Sequence, residues 1–190
     1  MKTLNNLRAL PVVIFVALAA ALTTVLTGAG TTTGSQRPDA ERFERAVEII
    51  KKYETMHSPR HWPLVGYGHM VIKGDNFSRK RQLTEAEADA LLRKDLLKNC
   101  APFRHLGSDS LLLGMLAYNI GSGKVKNSTL YKRLASGDRN IRNLYISYNK
   151  YRGKAHKGLT QRRLEEYELA FIDDTATQRT KTTNTNTTKR

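Results

Sequence analysis

The chain has 190 residues, 39% of them hydrophobic, which is material for one ordinary globular domain. Its 32 Lys and Arg against 17 Asp and Glu give a formal charge of +15, and residues 1–30 hold only Lys2 and Arg8, so the excess belongs to the remainder. Such a charge attracts nucleic acid, anionic lipid or an anionic cell wall alike, but basic residues spread over many segments, without a recognition-helix or aromatic-platform motif, argue against nucleic acid. One cysteine, Cys100, excludes an intrachain disulfide. Five scattered histidines with no paired spacing give no metal site and no cofactor to expect.

Residues 1–8 are short and basic, residues 9–26 form an uncharged run rich in Ala, Val and Leu, and residues 27–30 are small. This is the pattern of an export signal, either cleaved or retained as a membrane anchor through residues 9–26. Both outcomes place the remainder of the chain beyond the cytoplasmic membrane, in the periplasm or envelope. Residues 31–37 read as a linker, 38–173 as the folded domain, and 174–190 as a Thr/Asn/Lys-rich tail expected to be disordered.

Within the domain, Asp39 is the expected N-cap of a helix whose apolar stripe is Phe43, Ala46, Val47, Ile50 and Tyr53, ending near Glu54. Breakers come next at Pro59, Pro63, Gly66, Gly68 and Gly74, with β-prone pieces around residues 64–67 and 70–72 that predict a small sheet. Thr84 and Glu87 form a capping-box pattern that predicts a helix from Glu85 to before Pro102. Residues 111–120 are apolar nearly all round, predicting a central buried helix stopped by Gly121 and Gly123. Further helices are expected over 129–136, 140–148 and 160–171. The fold class that results is α+β and predominantly helical, with a small N-terminal sheet region, a buried central helix and a cleft between them.

Glu54 is the first residue to carry chemistry. A glutamate at the C-terminal end of a helix faces the negative end of the macrodipole, which disfavours the ionised form and suits a general acid. The segment after it ends Val65-Gly66-Tyr67-Gly68-His69. Then come Leu83-Thr84-Glu85-Ala86-Glu87-Ala88, Leu91-Leu92-Arg93-Lys94-Asp95-Leu96, Ala117-Tyr118-Asn119-Ile120-Gly121-Ser122-Gly123, and Arg162-Arg163 with Glu165 and Phe171. This ordered set resembles the phage-type lysozymes and covers nearly the whole domain. The resemblance implies a lysozyme-like, monomeric glycoside hydrolase that cuts the β-1,4 bond between N-acetylmuramic acid and N-acetylglucosamine in peptidoglycan, at the anionic cell envelope.

By that resemblance Glu54 is the catalytic acid, His69 a structural histidine paired with Asp95, and Arg163 the arginine that approaches Glu54 from the last helix. A nearby guanidinium favours the carboxylate whereas an acid catalyst needs its proton, and only geometry decides between them. Asn119 matches a polar position facing the cleft, open also to a role as a helix-end cap. Tyr67 and Trp62 offer faces for sugar rings, with a core role open for each. The chain departs from the family pattern in one place: the aspartate and threonine that usually hold the attacking water are absent, Leu64 standing where the threonine would be. His57 is the first candidate to act on the water and Asp75 the second. The variant resembles exported lysozyme-like proteins of Bacteroides-type bacteria. The missing pair also leaves open a scaffold that binds peptidoglycan in an envelope or conjugation complex without cutting it.

Overall fold

The computed structural model describes residues 36–173, with side chains from 39 onward. The expected leader at 1–30, most of the linker at 31–37 and the tail at 174–190 therefore lie outside the described residues.

Helix α1 (Gln36–Glu54) begins before Asp39. Asp39 is thus not an N-cap: it sits in the first turn, where a carboxylate suits the positive end of the helix dipole, and pairs with Arg42. The apolar stripe of Ala46, Val47 and Ile50 is fully buried. The helix ends at Glu54 because Thr55 turns into the left-handed region at φ +50°, with its N–H on the Lys51 carbonyl at 3.2 Å. A β-branched residue is strained there, and strain of this kind gathers beside functional groups. Thr55→Gly is expected to stabilise the fold by about 0.5–1 kcal/mol, since relief of roughly 1–2 kcal/mol exceeds the unfolded-state cost of glycine, roughly 0.5–1 kcal/mol. Urea unfolding reads the difference, and a variant no more stable than the parent refutes the strain.

The sheet after α1 is smaller than expected. Strands β1 (Leu64–Val65) and β2 (His69–Met70) pair antiparallel, Leu64 opposite Met70 and Val65 opposite His69. The turn between them uses Gly66 at φ +55° and Gly68 at φ +96°. Helix α2 (Glu85–Cys100) starts on its capping box: Thr84 Oγ1 accepts the Glu87 N–H at 3.3 Å and Glu87 Oε2 accepts the Thr84 N–H at 2.8 Å.

Helix α3 (Asp109–Ile120) is the buried centre, with Leu112, Leu113, Met115, Leu116 and Ala117 all enclosed. It crosses α2 where Gly114 lies against Cys100. Burial pushes the Cys100 thiol up to about 12, which makes it an inert packing group. Gly121, at φ +90°, ends α3, but Gly123 stops nothing: it lies inside a short helix α4 (Ser122–Lys126) that restarts at once. Helices α5 (Thr129–Ala135) and α6 (Arg142–Ile146) come after it. Strands β3 (Lys150–Tyr151) and β4 (Lys154–Ala155) form an exposed antiparallel hairpin that hydrophobic patterning did not predict. Helix α7 (Lys157–Ala170) starts three residues sooner than expected, capped by His156. It packs along α1, so the first and last helices of the described residues lie side by side.

Candidate active site

Glu54 is the last residue of α1, and its side chain is 21% exposed. The helix α7 packed beside it supplies Arg162, whose Nη1 donates to Glu54 Oε1 at 2.7 Å. That interaction occupies one carboxylate oxygen and leaves the other to face the β1–β2 turn. A side chain at Gly68 would begin 3.4 Å from Glu54 Oε2 and 4.0 Å from His57 Nε2. The glycine therefore brings the carboxyl oxygen that Arg162 leaves free and an imidazole nitrogen to one spot, with no side chain of its own between them.

His57 is held there by its backbone, its N–H on the Gly66 carbonyl at 2.7 Å in an isolated antiparallel bridge. Burial pushes its imidazole below the ordinary histidine range, the edge-on ring of His61 adds to this, and Glu54 opposes it. The ring is accordingly neutral near neutral pH and can accept a proton. His57 also lines a crevice of about 10 Å³ with Trp62, Leu64 and Leu83, about the space of one water molecule.

His69 is clamped through both ring nitrogens: Nδ1 lies 2.6 Å from Asp95 Oδ2 and Nε2 lies 3.1 Å from Asp75 Oδ2. The same Asp75 oxygen accepts the Ile72 N–H at 2.8 Å, and that bond, with His69 next, holds the Asp75 carboxyl below the usual carboxylate range. Asp75 is thereby engaged in its turn and in His69. Beside Gly68 and His69 opens a cleft of about 490 Å³, walled by Met70, Asp95, Asn99 and Tyr118. Among the described residues, no cluster of three or more His, Cys, Asp or Glu could hold a metal ion.

A profile of the phage lysozyme family matches residues 49–166, the stretch that contains all of these groups. The chain belongs to the phage lysozyme family. It is 30% identical over 168 residues to the endolysin of Bacillus phage B103, covering 76% of this chain and 61% of that protein. It is 31% identical over 116 residues to the SAR-endolysin of Bacteriophage PS119, covering 56% of this chain and 66% of that protein. The chain thus spans a little under two thirds of the length of these relatives. The muramidase domain of SpmX from Asticaccaulis excentricus has the same fold, with a TM-score of 0.55 at 24% identity, over 68% of this chain and 96% of that one.

Three expectations about individual residues are corrected by the geometry. The arginine on Glu54 is Arg162, not Arg163: one step along a helix turns a side chain by about 100°, and Arg163 points into the core, 0% exposed, with Nη2 on Glu166 Oε1 at 3.0 Å. Tyr67 is no open platform for a sugar. It is 7% exposed, and its hydroxyl donates to the Glu85 carboxylate, 2.7 and 2.8 Å from the two oxygens. Asn119 is exposed on the last turn of α3, but Ala117, Tyr118 and Gly121 are the α3-side residues that wall the cleft, and Asn119 falls outside their arc.

Tyr118 is the cleft residue that sequence reasoning passed over. Its hydroxyl donates to the Tyr67 carbonyl at 2.8 Å, and burial, then Asp95 and Glu54, push it well above the ordinary tyrosine range. The available signal was an aromatic residue beside the asparagine singled out at the end of a buried helix. Glu166 was passed over as well. Nothing in a run of charged residues distinguishes one that will be buried.

Proposed function

We propose that this protein is a peptidoglycan muramidase that hydrolyses the β-1,4 bond between N-acetylmuramic acid and N-acetylglucosamine. The observation that carries this reading is the convergence of Glu54 Oε2 and His57 Nε2 on the open face of Gly68. In this mechanism Glu54, through Oε2, protonates the glycosidic oxygen as the bond to the anomeric carbon breaks. Positive charge develops on the sugar ring. His57 orients a water against the anomeric carbon and takes its proton, in the role of the family's missing aspartate and threonine. The neutral state of its ring and the approach of Nε2 to Gly68 support that role. His69 keeps the β1–β2 turn on α2 through Asp95, which fixes Gly68 in place. The expected export signal puts this activity in the periplasm or envelope, with the glycan strands of the wall as partner, and the similarity to a SAR-endolysin accords with an envelope site.

The test is reducing-end release from purified peptidoglycan by the domain without residues 1–30, with mass spectrometry of the fragments. Products ending in reducing N-acetylmuramic acid establish the bond. His57→Ala is expected to lower the rate about a hundredfold while leaving wall binding intact; a variant as fast as its parent removes His57 from the mechanism. One feature favours a second reading: from Thr55 to Gly68 the chain has no carboxylate at all. A protein that pellets with the wall and releases no new ends is a binding scaffold, not an enzyme.

A further inference from the structure

The arginine on Glu54 raises a question of charge, because a guanidinium favours an ionised neighbour whereas the role proposed for Glu54 needs a proton on it. Behind Arg162 stands a second carboxylate. Glu166 is 0% exposed, and its Oε1 accepts Arg162 Nε at 2.8 Å and Arg163 Nη2 at 3.0 Å. Its Oε2 accepts the Tyr145 hydroxyl from α6 at 2.8 Å. Arg162 is 3% exposed and Arg163 fully buried, so the two cations share one carboxylate that water cannot reach.

Around this cluster, Glu165 of α7 and Lys52 of α1 pair at 2.7 Å, their opposite charges cancelling, beside Tyr53, whose hydroxyl donates to Glu165 at 3.0 Å, and Asp95 of α2 acts on Tyr118. Glu54 faces Arg162 from α7, Tyr118 from α3 and His57 from the loop after α1, and the Arg162 guanidinium lies 5.8 Å from the Tyr53 ring of α1. Burial pushes the hydroxyls of Tyr53, Tyr118 and Tyr145 upward, and it pushes the His57 imidazole down. All four are therefore neutral near neutral pH. The buried charges directly behind Glu54 are two arginines and one glutamate.

We infer that Glu166 is a positioning residue that sets the pH range in which Glu54 works: it holds the Arg162 fork on Glu54 and cancels one of the two buried positive charges behind it. This rests on the reading of Glu54 as the general acid. Replacing Glu166 by Gln keeps the shape and leaves two uncompensated guanidiniums. Replacing Arg163 by Met leaves the remaining arginine and glutamate to cancel.

The experiment is the pH dependence of wall hydrolysis by the domain and by E166Q, R163M, the E166Q/R163M pair and Y145F, each checked for folding by thermal melting. The alkaline limb, where the acid loses its proton, is expected about one pH unit lower in E166Q. It should lie higher in R163M and return close to the parent in the double variant. Y145F removes a hydrogen bond but no charge, so its limb should stay in place. A purely structural role for Glu166 would not be rescued by deleting a second buried residue. An E166Q limb that coincides with the parent's, or a double variant as displaced as E166Q, overturns the inference. If E166Q does not fold, R163M decides it through its opposite shift.

The carboxyl-carbon NMR signal of Glu54 followed across pH in the same set separates this inference from the functional reading. Signals that move in this order in a protein that cuts no wall refute the muramidase while leaving the charge relation standing. Hydrolysis whose pH limb and signals are indifferent to Glu166 refutes the charge relation alone.

Discussion

Glu54→Gln is expected to abolish wall hydrolysis, with a rate loss of about three orders of magnitude or more. The amide keeps the size of the side chain, and its oxygen can still accept Arg162 Nη1, which donates to Oε1 in the native protein at 2.7 Å. Arg162 also keeps Glu166 through Nε, so the buried end of the network stays paired. What disappears is the carboxyl oxygen facing Gly68 that delivers the proton in the proposed mechanism. Without it the leaving sugar departs as an alkoxide, and among the described residues no other acid flanks that point: Asp75 and Asp95 are engaged with His69. Reducing-end assays on purified wall read the loss, and co-sedimentation of the variant with the same wall shows that the cleft is intact. A variant that retains even a tenth of the activity would move the acid elsewhere.

Gly114→Ala is expected to cost the most stability of any single methyl group added to this domain, about 2–3 kcal/mol or roughly 10 °C in melting temperature. A Cβ there would lie 2.2 Å from Cys100 Sγ and 3.1 Å from the Cys100 Cα and backbone nitrogen. The sulfur can rotate away, but the backbone atoms at the end of α2 cannot, so α2 and α3 would have to separate along the contact that holds the centre of the domain. The double variant with Cys100→Ala should recover part of the loss and not all, because the backbone contacts remain. Urea denaturation of the two variants measures both quantities; a Gly114→Ala protein as stable as its parent would mean that the helices slide without cost.

Much of this fold was legible because its signals are local. The capping box of Thr84 and Glu87 started α2 where expected, and the apolar circumference of residues 111–120 identified the buried helix. Other features depended on contacts that one segment cannot encode. Arg162 and Arg163 are adjacent and chemically identical, and which of them meets Glu54 depends on the rotational phase of α7 against α1. Tyr67 suits a sugar platform as well as a core until Glu85, from the next helix, claims its hydroxyl. The hairpin of β3 and β4 buries neither face, so it lacks the alternation by which strands are recognised. Gly68 was visible as a turn residue, but that its missing side chain brings Glu54 and His57 together emerges only from the packing of α1 on the turn.

Glu54 and Arg162 are 108 positions apart in the chain and belong to its first and last described helices. During synthesis the ribosome delivers the carboxylate long before the guanidinium that holds it, and every intervening helix is made in the meantime. A chain interrupted anywhere before α7 carries Glu54 without the Arg162 bond to its Oε1. Under the proposed mechanism, synthesis of α7 is thereby a condition of activity, and loss of that helix to a protease yields an inert fragment rather than a partly active one.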